Sequence, residues 1–162
     1  MKISAATADR FAKAPPGGIS AVLLYGPDAG LVRERGTLLL NAVVDDPRDP
    51  FRIAELTVAA LREDQTRLAD EAAAMSLTGG RRVVGIKGAT DTISDIFEDI
   101  LQTISADSAL IIVESGDLGP RSKLRKQFEG AKNAAAIACY SDDGNAIESL
   151  VRDILAHRKL TV

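Results

Sequence analysis

Short apolar runs alternate along the chain with segments whose apolar residues recur every three or four positions. Residues 19–25, ISAVLLY, form a nearly continuous apolar run that stops at Gly26-Pro27, the pattern of a strand covered on both faces. Residues 107–114, DSALIIVE, read the same way and stop at Ser115-Gly116. FRIAELT (51–57), RRVVGI (81–86) and AAAIACY (134–140) are shorter strand candidates, the last weakened by its alanines. Between them, Ile93, Ile96, Phe97, Ile100, Leu101 and Ile104 make one helical stripe, and Ile147, Leu150, Val151, Ile154 and Leu155 make another. Asp28 is placed to cap a helix running to about Val44, after which Pro47 and Pro50 force a loop. A further helix is expected over 61–77, ending at Gly79-Gly80. Five strands alternating with helices predict an α/β fold with a parallel sheet, helices on both faces and right-handed crossovers.

At 162 residues with 46% apolar residues, the chain is expected to bury one core in one domain. Its net charge of −3 offers no overall attraction for phosphate, so any nucleic-acid contact needs a local patch or a partner. Asp9, Arg10 and Lys13 break up the start of the chain before an export signal's apolar core could form, and no run approaches the roughly 20 apolar residues of a membrane span. A cytoplasmic location without membrane contact is expected. With one cysteine, Cys139, and one histidine, His157, there is neither a Cys/His metal cluster nor a thiol–imidazole pair, while carboxylate-only sites stay open. Cys139 reads as a core residue.

The loop after the first long strand, GPDAGLVRE (26–34), is where such a fold would hold phosphate. A P-loop counted from Gly26 needs Gly, Lys and a hydroxyl residue at 31–33, and the chain has Leu31, Val32 and Arg33. Asp28 adds negative charge, so the loop reads as a tight strand-to-helix turn and no cofactor is expected. Glu114 and Asp117 follow the other long strand without forming the adjacent acidic pair that holds Mg²⁺. The one basic cluster lies on 119–132, where Arg121, Lys123, Arg125, Lys126 and Lys132 surround the inward-facing Leu124 and Phe128. It reads either as a solvated helix face or as a contact to DNA phosphate or an acidic partner. In AAAMSLTGG (72–80), Leu68, Ala72 and Met75 are spaced to face a core, while Leu77 and Thr78 fall at the helix end, where an apolar side chain could anchor in another protein's pocket.

Taken in order, LLYGPDAGLVRERG, DPFRIAELT, LADEAAAMSLTGGRRVV, LIIVESGDLGPRSKLRKQFE and AAIACYSDD resemble the delta subunit of the bacterial DNA polymerase III clamp loader, especially alphaproteobacterial forms. The resemblance implies a RecA-like AAA+ fold that lacks a functional P-loop, in a chain corresponding to the amino-terminal portion of a longer family member. Residues 1–142 would be the clamp-binding domain, and 143–162 its last helix and the connection to a lid domain. The implied role is binding the sliding clamp and favouring its open state in DNA replication, with no catalysis of its own. Implied partners are the clamp, the ATPase and delta prime subunits of the loader, and DNA only within the assembly. Met75, Ser76 and Leu77 match the family's clamp-entering wedge, and Thr78 departs from it where some members carry a bulky aromatic residue. Burying a Phe contributes ~1.5–3 kcal/mol, so the departure bears on clamp affinity. A small-molecule or nucleotide-binding α/β domain using the crevice near Gly26 and Glu114 is the alternative, and an autonomous DNA-binding domain resting on 121–132 is a third reading.

Overall fold

The computed structural model describes residues 1–74, 79–105 and 107–140. Among them, six parallel strands form one sheet: β1 (Lys2–Ile3), β2 (Ala21–Tyr25), β3 (Ile53–Thr57), β4 (Val83–Ala89), β5 (Leu110–Ser115) and β6 (Ala134–Ala138), in the order β1-β6-β2-β5-β4-β3. The helices are α1 (Ala8–Lys13), α2 (Ala29–Val43), α3 (Val58–Glu63), α4 (Arg67–Ala73), α5 (Ser94–Thr103), entered through a 3-10 turn at Asp91–Ile93, and α6 (Lys123–Gly130).

Side chains of β2 alternate between two cores. Ala21, Leu23 and Tyr25 join Leu61, Leu68, Ile93, Phe97, Leu124 and Phe128 from α3 to α6 and the 3-10 turn, whereas Val22 and Leu24 join Ala8, Ala12, Val32 and Leu39 from α1 and α2. A strand covered on both faces has no solvent side, which is why its sequence is an unbroken apolar run. Phe97 and Phe128 meet with ring centroids 5.1 Å apart, joining α5 to α6 beneath the sheet. Cys139 is fully buried in the second core.

The expected five strands are all present, and the sheet has a sixth. With only two residues, β1 carries no readable periodicity, yet it pairs Lys2 with Ala136 and Ile3 with Ile137 on the outer edge of β6. That pairing, with β2 on the other side, gives the alanine-rich β6 two hydrogen-bonded neighbours, so sheet context outweighs its weak propensity. The helix expected over 61–77 is two helices instead. Asp64 accepts from both the backbone N–H (3.1 Å) and the hydroxyl (2.7 Å) of Thr66, a local bonding pattern that competes with helix continuation and separates α3 from α4. Asp28 caps α2 as expected, accepting from the Leu31 N–H at 3.0 Å. The apolar stripe over 147–155 lies outside the described residues.

The short α1 is tied to the sheet by Arg35, a buried residue on α2. Its Nε donates to Asp9 Oδ1 at 3.2 Å, and its Nη1 donates to the Ala138 carbonyl at 2.8 Å and approaches Cys139 Sγ at 3.4 Å. Arg35→Met is therefore expected to lower stability by about 1–3 kcal/mol, because a partly buried carbonyl loses its donor. Asp9→Asn, at the exposed end of the same pair, should cost less than about 1 kcal/mol. Urea unfolding of both variants checks the order; equal losses would mean the Ala138 bond contributes nothing.

Candidate functional site

Two ends of the sheet offer distinct chemistry. At the amino-terminal rim of the strands, three arginines satisfy the carbonyls that the turns leave exposed. Arg52 donates to Arg81 O through Nε (3.2 Å) and Nη2 (3.0 Å), and through Nη2 to Val43 O at the end of α2 (2.8 Å). Arg81 reaches Ser108 O (3.0 Å) and Ile19 O (2.9 Å), and burial pulls its guanidinium pKa down. Arg82 donates to Phe51 O (3.2 Å), to Glu71 O (2.6 Å) and to the Glu71 carboxylate (3.0 Å).

These contacts fix both flanks of residues 75–78. Upstream, the last turn of α4 is held by Arg82 at Glu71 and by the Ala109 N–H, which donates to Ala72 O at 2.9 Å. Downstream, Gly79 and Gly80 have φ of 78° and 82°, in the left-handed region that glycine adopts without steric cost. A Cβ at Gly80 would also fall 2.8 Å from Arg52 Nη2, so glycine lets the chain turn directly against that guanidinium. Met75, Ser76, Leu77 and Thr78 themselves lie outside the described residues. Their attachment points are both on this rim, and Leu68 and Ala72, on the same helix, are core residues as their spacing predicts.

At the opposite, carboxy-terminal end, the loop after β2 packs against the chain just after β6. Gly26 has φ 144°, and a Cβ there would lie 2.0 Å from Cys139 O. The Asp28 carboxylate occupies the amino terminus of α2, where a phosphate would otherwise accept backbone N–H groups. Beside it lies a crevice of about 350 Å³ whose lining includes Gly26, Arg33, Lys87, Glu114 and Asp117. Glu114 lies against α2, where a Cβ on Gly36 would sit 3.0 Å from its Oε1. Burial raises the Glu114 pKa, with Lys87 and Arg33 pulling against the rise and Glu55 adding to it.

No family model and no curated protein matches the sequence. Among solved structures, the chain is similar to the Bacillus subtilis DNA clamp loader delta protein, at 21% identity and a TM-score of 0.59, over 74% of this chain and 38% of that one. It is also similar to a DNA polymerase III gamma subunit-related protein from Thermotoga maritima, at 16% identity and a TM-score of 0.55, over 91% of this chain and 49% of that one. The fold is clamp-loader-like. The chain thus spans 38% and 49% of the lengths of these two proteins.

Within this fold, the basic cluster divides. Arg125 is committed internally: its Nε donates to Glu129 at 2.6 Å, its Nη1 to Leu118 O at 3.0 Å, and its guanidinium carbon lies 4.9 Å from the centre of the Tyr25 ring. Arg121, Lys123 and Lys126 are exposed, and Ser122 caps α6 by accepting from the Arg125 N–H. Sequence reasoning missed the rim arginines. Arg52, Arg81 and Arg82 each sit just ahead of a strand, and arginine at a strand entrance is the signal that could have found them.

With a carboxylate already capping α2, Mg-ATP is expected to give no saturable calorimetric binding in the micromolar range, and a low-micromolar dissociation constant would contradict the geometry. Glu114 supplies a second expectation. Its raised pKa means the folded chain holds the proton more tightly than the unfolded chain, so stability falls as pH climbs from the ordinary carboxylate range through the raised value. Glu114→Gln removes this cost and should raise the melting temperature at neutral pH, with the gain vanishing in acid. A variant that melts lower than its parent at pH 7 would show that the charged carboxylate stabilises the fold.

Proposed function

We propose that this domain docks on a sliding clamp through Met75, Ser76, Leu77 and Thr78 and favours the open ring, as a clamp-loader component that does not use ATP itself. The observation that carries this reading is the fixed rim: a short segment containing two large apolar residues is carried between a helix end and a strand entrance that Arg52, Arg81 and Arg82 hold in place. The clamp-loader-like fold and the carboxylate-capped α2 support it. Docking segments on rigid supports lose little conformational freedom on binding, which leaves more of the contact energy as affinity.

Opening would follow from differential binding. A ligand displaces a ring from closed to open only by the margin with which it prefers the open form, so the segment must fit the opened interface better. Nucleotide control would come from ATPase subunits that bury or release this rim, with delta prime completing the loader. DNA would be met only in the assembly, through Arg121, Lys123 and Lys126. No described helix is long and apolar enough to cross a membrane.

A second reading assigns ligand binding to the crevice of about 350 Å³, where Arg33 and Lys87 face Glu114 and Asp117. Saturable binding of a nucleotide or small anion, unaffected by changes at the rim, would favour it.

Leu77→Asp is expected to abolish clamp binding, by more than about 30-fold, while leaving the melting temperature nearly unchanged. An exposed anchor and a core residue respond oppositely: a carboxylate buried without a partner would take several kcal/mol from the ~5–15 kcal/mol stability of a domain. A collapsed fold would make Leu77 a core residue, and an intact fold with parental affinity would place the contact elsewhere. Thr78→Phe should tighten the same complex if that position enters the pocket.

A further inference from the structure

The α-amino group of Met1 is a charged group that neither the proposed docking role nor the crevice uses, and the fold supplies it with three acceptors. It donates to Phe128 O at 2.7 Å, to Ala131 O at 2.9 Å and to Ala134 O at 2.8 Å. Phe128 stands in the last turn of α6, whose final carbonyls have no partner within the helix, and Ala131 is the residue that ends it. Ala134 opens β6. A cation at this place also meets the negative end of the α6 dipole.

The three bonds are not equivalent. The bond to Ala134 O, with the return bond from the Ala136 N–H to Met1 O at 2.8 Å, follows the pattern of an ordinary parallel ladder, and an amide N–H in place of the ammonium would still make it. The bonds to Phe128 O and Ala131 O need the two further N–H groups that a free ammonium carries. They matter because β1 is only two residues long and pairs with β6 just at Lys2–Ala136 and Ile3–Ile137, little to hold a terminal strand on a sheet edge.

We infer that the free α-ammonium of Met1 fastens β1 to the end of α6 and the start of β6, and that acylating this nitrogen, or joining a residue ahead of it, unfastens the strand. A formyl or acetyl group turns the ammonium into an uncharged amide with one N–H, so Phe128 O and Ala131 O lose a charge-assisted donor together. The nitrogen is thus a modification site whose state decides whether the outer edge of β6 is covered or left open to another strand. This inference is independent of the docking role.

The test compares three forms of the chain, each verified by intact mass: one with the free Met1 amine, one retaining an Nα-formyl group, and one with a single glycine ahead of Met1. Burial lowers the pKa of the amine, with Glu129 opposing, so the comparison is made at about pH 6, where the free form is an ammonium. Both altered forms should melt roughly 2–6 °C lower. Hydrogen exchange at the Ala136 N–H should quicken by about tenfold or more, while the Cys139 N–H, which donates to Tyr25 O at 2.6 Å on the β2 side, keeps its protection. Unchanged exchange at Ala136 in the formyl form overturns the inference, whatever the glycine form does, because a clash and not a lost donor would then be at work. Equal quickening at Ala136 and Cys139 overturns it too, since the loss would belong to the whole sheet and not to β1.

Discussion

A parallel sheet covered on both faces must return the chain from one end of the strands to the other at every crossover, and each return leaves polar backbone at the rim. In this domain the burial of β2 between two cores sets that constraint, and guanidinium groups answer it. Arg52, Arg81 and Arg82 donate to carbonyls of Ile19, Val43, Phe51, Glu71, Arg81 and Ser108, which lie in or beside the connections. A planar donor with several N–H groups can serve two chain segments at once, which a lysine ammonium does less well. The apolar layers and the polar rim are thus two sides of one requirement.

At the opposite end of the sheet, the chain's own groups fill the turn after β2 and the start of α2. Asp28 occupies the amino terminus of α2, and Gly26 lets the turn after β2 pack directly against Cys139. Glu114, at the strand end where a metal-holding acid would be expected, faces Lys87 and Arg33. Lys87 and Arg33 partly offset the charge that burial disfavours there.

Long, regular elements were legible in the sequence because periodicity accumulates over many residues. The strands at 21–25 and 110–115, the helix from Asp28 and the stripe from Ile93 are all present, and Leu124 and Phe128 face inward as their spacing predicts. What was not legible was short or cooperative. A two-residue strand has no period, and the break between α3 and α4 depends on one aspartate choosing a threonine two residues on. Arg125 looked like one member of a basic cluster, yet Glu129, Leu118 and Tyr25 claim it, partners that only α6 and the sheet together bring near. The rim arginines escaped for the same reason, since most of their acceptors are backbone carbonyls distant in sequence. As for residues 75–78, the proposed docking segment, the fold shows only the supports on either side of them.

Arg82 grips Phe51 and Glu71 with one rigid plane, so the loop ahead of β3 and the end of α4 are mechanically coupled although they belong to different crossovers. Thermal excursions of one must either carry the other or break a charge-assisted hydrogen bond. Local opening at this rim would then be a concerted event with a single free energy, rather than a series of independent frayings. A partner that restrained either segment would quiet both, transmitting its presence between neighbouring crossovers without any displacement of the sheet.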